Sequence, residues 1–394
     1  MQISHTDICR TYKQHSYREF SKIHSMVSYL AMFPPALPHF FITQYSKEND
    51  LIYDPFAGRG TAPFEACRMG RIGIGNDLSP LALCLIKAKI NIPKMSKIKR
   101  RLKDLAHHYA PPSIEGVDTD IKMLFEQHLT LPQLVYLKQS LKLSRSVDNF
   151  IMATLAGIIH GKHRKDGTSM YCSIDMPNTF SMAPSYIRNF ITKHELKTLR
   201  QDVFQLLEYR LDALFAPSKY PQQDMSHYQK GYCFNVDALA CSKKVIQKYG
   251  QNAISLIITS PPYLKNISYG KYNWIRFWLF QEDFKTFKQD GYKLGGLKDN
   301  LTFESYAHYL QKLFNSWVQV LKPGGRAVVV IGDLHALNLA QATWDWIQAN
   351  GGCALHLESI LEDNPKNSRK TTRIWGAKKG QATKIDRILV LKKE

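Results

Sequence analysis

The chain has 394 residues, 44% hydrophobic and 22% charged, which is enough for a full catalytic core plus an insertion or second small domain. No apolar run approaches the roughly 18–20 residues that span a bilayer, and Met1-Gln2-Ile3-Ser4-His5-Thr6-Asp7 lacks the basic-then-apolar layout of a secretory leader, so a cytoplasmic protein without a membrane partner is expected. Seven cysteines with no Cys-x-x-Cys pair argue against a disulfide framework or thiolate zinc site, and a formal charge of +20 calls for a polyanionic partner. Nucleic acid comes first, although an acidic protein fits the charge alone equally well.

Residues 51–92 read as strand, glycine turn, helix, strand, turn, helix. The helix after Thr61 carries Pro63 in its first turn, where a missing N–H does no harm. Arg71 to Gly75 is a short strand ending at Asn76-Asp77, and Ser79-Pro80 opens an apolar helix to Ile90. This rhythm predicts a parallel sheet with helices on both faces.

From Pro93 to Tyr232 the rhythm breaks into helical periodicity, over Ile121–His128, Leu131–Leu141, Val147–Ile159 and Tyr186–Phe215, with a basic passage at 161–167. We read 93–232 as a largely helical insertion between two parts of a core, 1–92 and 233–394. The strand–helix rhythm resumes at Cys233–Asp237, followed by a helix from Ser242 and an apolar strand, Ser255–Ile258. An aromatic helix (Asn273–Phe280), a polar loop and a helix (Phe303–Leu321) lead to Lys322-Pro323-Gly324-Gly325. The strand Ala327–Ile331, a helix (Leu339–Ala349) and two closing strands (Ala354–Ile360, Arg387–Leu391) complete the chain.

Two strand ends carry the chemistry. Asp54-Pro55-Phe56-Ala57-Gly58-Arg59-Gly60-Thr61 puts a Gly-x-Gly turn before a helix, where backbone can approach a ligand and unpaired N–H groups face an anion. It lacks the third glycine of the dinucleotide fingerprint and the Gly-Lys-Ser/Thr ending of a P-loop. Asp77 ends the next strand, where an acid can accept two ribose hydroxyls. The second turn, Thr259-Ser260-Pro261-Pro262-Tyr263, forfeits two ladder hydrogen bonds at the end of a buried strand, an expensive choice without function.

Together these turns resemble the signature motifs of the S-adenosylmethionine-dependent DNA amino-methyltransferases, and Ser-Pro-Pro-Tyr looks most like the cytosine-N4 branch. The resemblance spreads from about His24 to Leu391 and implies a Rossmann-like class I methyltransferase, with a seven-stranded, mostly parallel α/β sheet flanked by helices. It implies S-adenosylmethionine contacts at Asp54, Pro55, Phe56, Gly58, Gly60, Thr61, Asp77 and Leu78, and at Asp237 and Ala238 for the adenine. The N-terminal stretch from His24 to Pro35 resembles the family motif that folds over the methionine end, with Phe33 and Pro34 as its contacts. The catalytic residues would be Ser260, Pro261, Pro262 and Tyr263. Ser260 Oγ and the Pro261 carbonyl would accept the hydrogens of an exocyclic amine, and Tyr263 would stack on a flipped-out base. A cytosine-C5 mechanism needs a thiolate, usually placed after a proline, and no cysteine here follows one.

The activity expected is sequence-specific methylation of cytosine N4 in double-stranded DNA, with a cognate restriction endonuclease as a candidate partner and no metal. An adenine-N6 enzyme of the same build, an RNA guanine-N2 methyltransferase and a silent DNA-binding protein on this scaffold are the rivals. For DNA contact we single out Lys162, His163, Arg164 and Lys165, then Asn178, Thr179, Ser181, Tyr186 and Arg188 in the insertion. Arg369, Lys370 and Arg373, in the late loop 366–384, are candidates for a phosphate clamp. The insertion falls before Asp237, unlike the family's common layout, in which the recognition region lies directly before the Pro-Pro-Tyr motif or after the core.

Overall fold

The computed structural model describes residues 17–29, 34–176, 183–217, 219–262, 264, 273–280, 302–333, 337–363 and 385–394. Seven strands make one sheet: β1 (Leu51–Asp54), β2 (Ile72–Asn76), β3 (Tyr232–Phe234), β4 (Ile254–Thr259), β5 (Leu321–Gly332), β6 (His356–Asp363) and β7 (Asp386–Lys392). Their order is β3-β2-β1-β4-β5-β7-β6, parallel except for β7, which runs antiparallel between β5 and β6. This is the expected Rossmann-like class I methyltransferase architecture. The chain steps outward from β1 to β3, then returns to the other side of β1 as β4. The crevice beyond the carboxyl ends of β1 and β4 is therefore the topological switch point, where open α/β sheets bind ligands.

Side-chain alternation assigns the two faces. Ile52, Leu256, Ile258, Val328, Val330, Ile388 and Val390 share a core with α1 (Ala36–Tyr45) and α2 (Thr61–Arg68). The intervening residues, among them Tyr53, Ile257, Val329 and Leu389, face the other way. β4 is buried along its whole length, as a central strand covered on both faces must be. Beside α2 lies α3 (Pro80–Ile90), capped by the Ser79 hydroxyl.

The helical body stacks outside α3. It comprises α4 (Met95–His107), α5 (Thr119–Lys122), α6 (Thr130–Ser140), α7 (Ser146–Ile158), α8 (Pro184–His194) and α9 (Val203–Leu214). One apolar core joins these helices to Leu81 and Leu85 of α3. Within it Asn149 Nδ2 donates to the Cys84 carbonyl at 2.9 Å, tying α7 to α3. Each Leu, Ile or Phe in such a core contributes roughly 1.5–3 kcal/mol. Covering the other sheet face are α10 (Ala238–Tyr249), α12 (Phe303–Val318) and α13 (Leu339–Ala349), while the short α11 (Trp274–Phe277) joins the core of the helical body.

Several boundaries differ from expectation. Met95–His107 is a helix whose apolar positions, Ile98, Leu102 and Leu105, lie hidden among lysines and arginines. Ala36–Tyr45 is another that the periodicity did not suggest. Of the expected helix Ile121–His128 only Ile121 and Lys122 are helical, within Thr119–Lys122; further on, the Glu126 side chain accepts from the N–H groups of His128, Leu129 and Thr130. The stretch 186–215 is two helices broken at Glu195, which adopts a left-handed φ of +47°. Lys322-Pro323-Gly324-Gly325 is a bulge within β5 and not a turn before it: Ile254 pairs with Leu321 but Leu256 with Arg326. The strand expected over 233–237 stops at Phe234.

Candidate active site

The glycine turn leaves β1 with Gly58 at φ +50° and Gly60 at φ +75°, a left-handed conformation that side chains disfavour. A Cβ on Gly60 would lie 3.1 Å from the backbone of Ile86 in α3. The N-cap Gly60 has no side chain with which to cap α2 and Pro63 has no N–H, so the groups that the helix start offers at the turn are Thr61 N–H and Ala62 N–H. The helix lies tight on β2 because Gly73 has no Cβ; one built there would sit 2.0 Å from the Pro63 carbonyl. The close-packing glycine missing from the turn is thus supplied by the strand. Tyr29, absent from the expected site, packs its ring against Gly58. Its segment is held by Gly157 of α7, where a Cβ would meet the Met26 carbonyl at 2.0 Å.

Asp77 binds the turn directly. Its Oδ2 accepts from Gly58 N and its Oδ1 from Ser79 N, both at 2.9 Å. Burial pushes this carboxyl up to about 6 against the pull of those backbone donors. Each oxygen keeps a further lone pair, so acceptance of ribose hydroxyls is compatible with the clasp. Leu78 follows, half-buried. Asn76 links three segments: its Nδ2 donates to the Pro55 and Val236 carbonyls at 3.1 and 3.0 Å. Asp237 is not a strand residue but the N-cap of α10, accepting from Leu239 N at 2.9 Å, with buried Ala238 beginning the helix.

Asp54 joins the two turns. Its Oδ1 accepts from Phe56 N at 3.1 Å and from Thr259 Oγ1 at 2.7 Å. Burial raises the carboxyl to about 7, although both hydrogen bonds favour ionisation. One residue past Thr259, Ser260 donates its hydroxyl proton to the Val330 carbonyl at 3.2 Å. With that proton committed, the lone pairs of Ser260 Oγ are left as acceptors. Pro261 is buried and Pro262 half-buried. Tyr263 and Phe33 lie outside the described residues; Pro34 is exposed, and its carbonyl accepts from Leu37 N as α1 begins.

Beneath the turn lies a buried charge cluster that sequence reasoning did not find. Glu65 of α2 accepts from His24 Nε2 at 2.9 Å and His39 Nδ1 at 2.8 Å and pairs with Arg68. Burial opposes its ionisation, but Arg68 and the two imidazoles outweigh that and hold it well below the usual carboxylate range. Burial takes His24 down to about 4 despite Glu65. Arg59 donates to the Tyr17 hydroxyl and the His24 carbonyl, and Thr61 Oγ1 accepts from Arg59 Nε at 3.1 Å. Lys89 Nζ reaches the Arg59 carbonyl at 2.7 Å. His24, at the head of the N-terminal stretch that resembles the family motif, was the one signal in the sequence.

Among the DNA candidates, Lys162, Arg164 and Lys165 are exposed on a tight turn closed by Arg164 N to the Thr168 carbonyl. Cys172 N donates to the Ile158 carbonyl at 2.9 Å, so this loop returns to the carboxyl end of α7. Arg188 is paired with Asp120 at 2.5 Å. Asn178, Thr179, Ser181, Arg369, Lys370 and Arg373 fall outside the described residues. Among the described residues no group of His, Cys, Asp or Glu has the geometry of a metal site, and no helix is long and apolar enough to cross a membrane.

Known proteins share part of this sequence. Residues 5–87, from the N-terminal segment through the glycine turn and Asp77, match the DNA methylase family. The type II methyltransferase M.MjaII of Methanocaldococcus jannaschii is 31% identical over 83 residues, 21% of this chain and 16% of that protein. The type II beta methyltransferase M.BslI of a Bacillus species is 38% identical over 61 residues, 15% of this chain and 7% of that protein. The chain thus spans less than a fifth of the length of either relative. The rRNA methyltransferase aviRa from Streptomyces viridochromogenes superposes over 93% of this chain and 89% of its own with a TM-score of 0.35 and 10% identity, too loose a likeness to build on. The open helix N-terminus, the left-handed glycines and the Asp77 and Asp237 acceptors fit S-adenosylmethionine, the cofactor of this class. The matched segment and the sheet that carries it support the DNA amino-methyltransferase family.

Proposed function

We propose that this protein is a DNA methyltransferase that methylates the exocyclic N4 amine of cytosine in a base flipped out of double-stranded DNA. The observation that carries the reading is the buried hydrogen bond from Thr259 Oγ1 to Asp54 Oδ1, 2.7 Å long, which holds the ends of β1 and β4 together. Two turns so joined can present a methyl donor on one side and an amine on the other.

S-adenosylmethionine supplies, when bound, a methyl group on a positively charged sulfur. The residues of this chain provide orientation. Asp77 and Asp237 offer acceptors to the ribose and the adenine, and the start of α2 offers N–H groups to the carboxylate. An aromatic amine is a poor nucleophile because its lone pair is delocalised into the ring. Ser260 Oγ and the Pro261 carbonyl accept its two hydrogens, which favours a tetrahedral nitrogen whose lone pair is directed at the methyl group. Such fixed acceptors, set before the reaction, are a large share of the catalysis available here. Tyr263 stacks on the extruded base, contributing roughly 1–3 kcal/mol toward the few lost in unstacking.

Serine at position 260 is the basis for choosing cytosine N4 over adenine N6. Duplex DNA treated with the protein and methyl-labelled S-adenosylmethionine, then digested to nucleosides, should release labelled N4-methylcytosine. Labelled N6-methyladenine would move the substrate to adenine. Label found in RNA alone would overturn the proposal.

A further inference from the structure

A groove of about 570 Å³ opens on the helical body between α4 and the start of α7, lined chiefly by Lys97, Arg100, Arg101, Asp104, Arg145 and Asp148. Its two acids are already engaged. Arg101 donates from Nε to Asp148 Oδ1 at 2.9 Å and from Nη1 to Asp104 Oδ2 at 2.8 Å. Asp148 Oδ2 also accepts from Lys142 N at 3.1 Å. Lys97, Arg100 and Arg145 are exposed and form no ion pair among the described residues. Three uncompensated cations in a concave surface, on a chain of formal charge +20, complement an anion with several charges.

We propose that this groove holds the phosphate backbone of the duplex on one flank of the target base; the inference rests on the DNA-methyltransferase reading. The course of α7 favours a duplex over an acidic protein. At its carboxyl end α7 adjoins the N-terminal segment, through Gly157 and Met26, and the loop bearing Lys162, Arg164 and Lys165. At its amino end it forms the groove. From Ser146 to Gly157 the helix rises roughly 16 Å at about 1.5 Å per residue. That is about five steps of B-DNA at roughly 3.4 Å each. The groove and the basic loop thus sit at the two ends of one rigid helix, a separation that several consecutive phosphates of one flank can span. Arginine forks suit phosphate oxygens, and they carry no base preference, so the groove adds affinity and register and leaves sequence choice elsewhere.

The test compares the full chain with its Lys97→Gln/Arg100→Gln/Arg145→Gln variant, leaving Arg101 in place. Both bind a fluorescent 30-base-pair duplex centred on a site that the native protein methylates, and a short duplex ending three base pairs from the target on either side, across a salt series. With three cations no longer neutralising phosphates, the slope of log affinity against log salt for the long duplex should fall by roughly 2–3, and KM for that DNA should rise at least tenfold. Cofactor affinity and melting temperature should hold, and the short duplex should be bound alike by both proteins. An unchanged slope on the long duplex overturns the groove proposal. So does a variant that loses binding of a polyglutamate probe yet keeps its DNA affinity, since the occupant is then an acidic protein. A native protein that methylates no site in any duplex DNA, so that no such duplex can be chosen, overturns the methyltransferase reading itself, a different result from either of these.

Discussion

Thr259 and Asp54 meet across the carboxyl ends of two adjacent parallel strands, 205 residues apart in sequence, through a buried 2.7 Å hydrogen bond. The same Asp54 oxygen takes the N–H of Phe56 inside the glycine turn. One carboxylate oxygen is therefore the joint between the turn proposed to receive the cofactor and the turn proposed to receive the amine. Thr259→Val keeps shape and β-branching but removes the donor. A hydrogen bond to such a group is worth about 1.5–3 kcal/mol, so cofactor affinity and methyl transfer should each fall by about tenfold or more. Thr259→Ser should restore most of both. Titration calorimetry on the three proteins decides it, and a valine variant indistinguishable from the native protein would remove the joint.

Asp77 clasps Gly58 and Ser79 and is the acceptor proposed for the ribose. Asp77→Ala should weaken S-adenosylmethionine binding by about 10–100-fold, as two hydrogen bonds to a carboxylate disappear. DNA affinity in the absence of cofactor should not change. If both affinities drop together, the residue is holding the fold and not the ligand.

Cofactor binding should depend on pH through Asp54. Buried and raised to about 7, this carboxyl is partly protonated at neutral pH. A ligand bearing ammonium and sulfonium charges prefers the ionised form. Affinity should therefore rise with pH through 6 to 7, by at most tenfold per unit, and level off above. Asp54→Asn should bind more weakly and with a flatter profile over the same range, Asp77 at about 6 being the carboxyl that still titrates there. A native profile equally flat counts against ionisation of Asp54 on binding.

Stability should respond to His24 with a defined sign. Its folded value of about 4 lies below its ordinary 6.5, so between these limits the unfolded state holds more protons. The contribution is present above pH 6.5 and is lost as pH falls toward 4. Asp54 acts oppositely, losing stability as pH rises from 3.8 toward 7. The His24→Gln variant separates them: its melting temperature should fall less than the native one between about pH 7 and pH 5.

Glu65 has the largest expected effect on folding. Fully buried, it balances Arg68 and both imidazoles. Removing one partner of such a buried set costs about 3–5 kcal/mol because charge is left uncompensated. Glu65→Ala should lower the urea midpoint accordingly, and a change below about 1 kcal/mol would show that the cluster relaxes freely.

The legible parts of this protein were those in which local chemistry is extreme. An apolar strand running into Gly-x-Gly or Pro-Pro has few conformations open to it, so β1, β4 and both turns could be anticipated. The acid after β2 could be placed by the same logic. Elements governed by partners were less readable. Met95–His107 looks too charged to be a packed helix until Ile98, Leu102 and Leu105 find the core outside α3. The Pro-Gly-Gly of β5 stays within the strand because β4 accommodates it as a bulge on one side and Lys393 bonds Gly324 and Gly325 on the other.

Residue order alone determined that a glycine turn and a serine-proline turn end two strands, because backbone sterics act within a few residues. Tertiary packing decided that these strands are neighbours, that Thr259 reaches Asp54, and that Asp77 clasps Gly58. It also placed His24, His39 and Arg68 around Glu65. The two joints at the turns link segments 19 and 205 residues apart, and no local preference encodes them: they form only because burying both faces of the sheet leaves one strand order that brings the partners together.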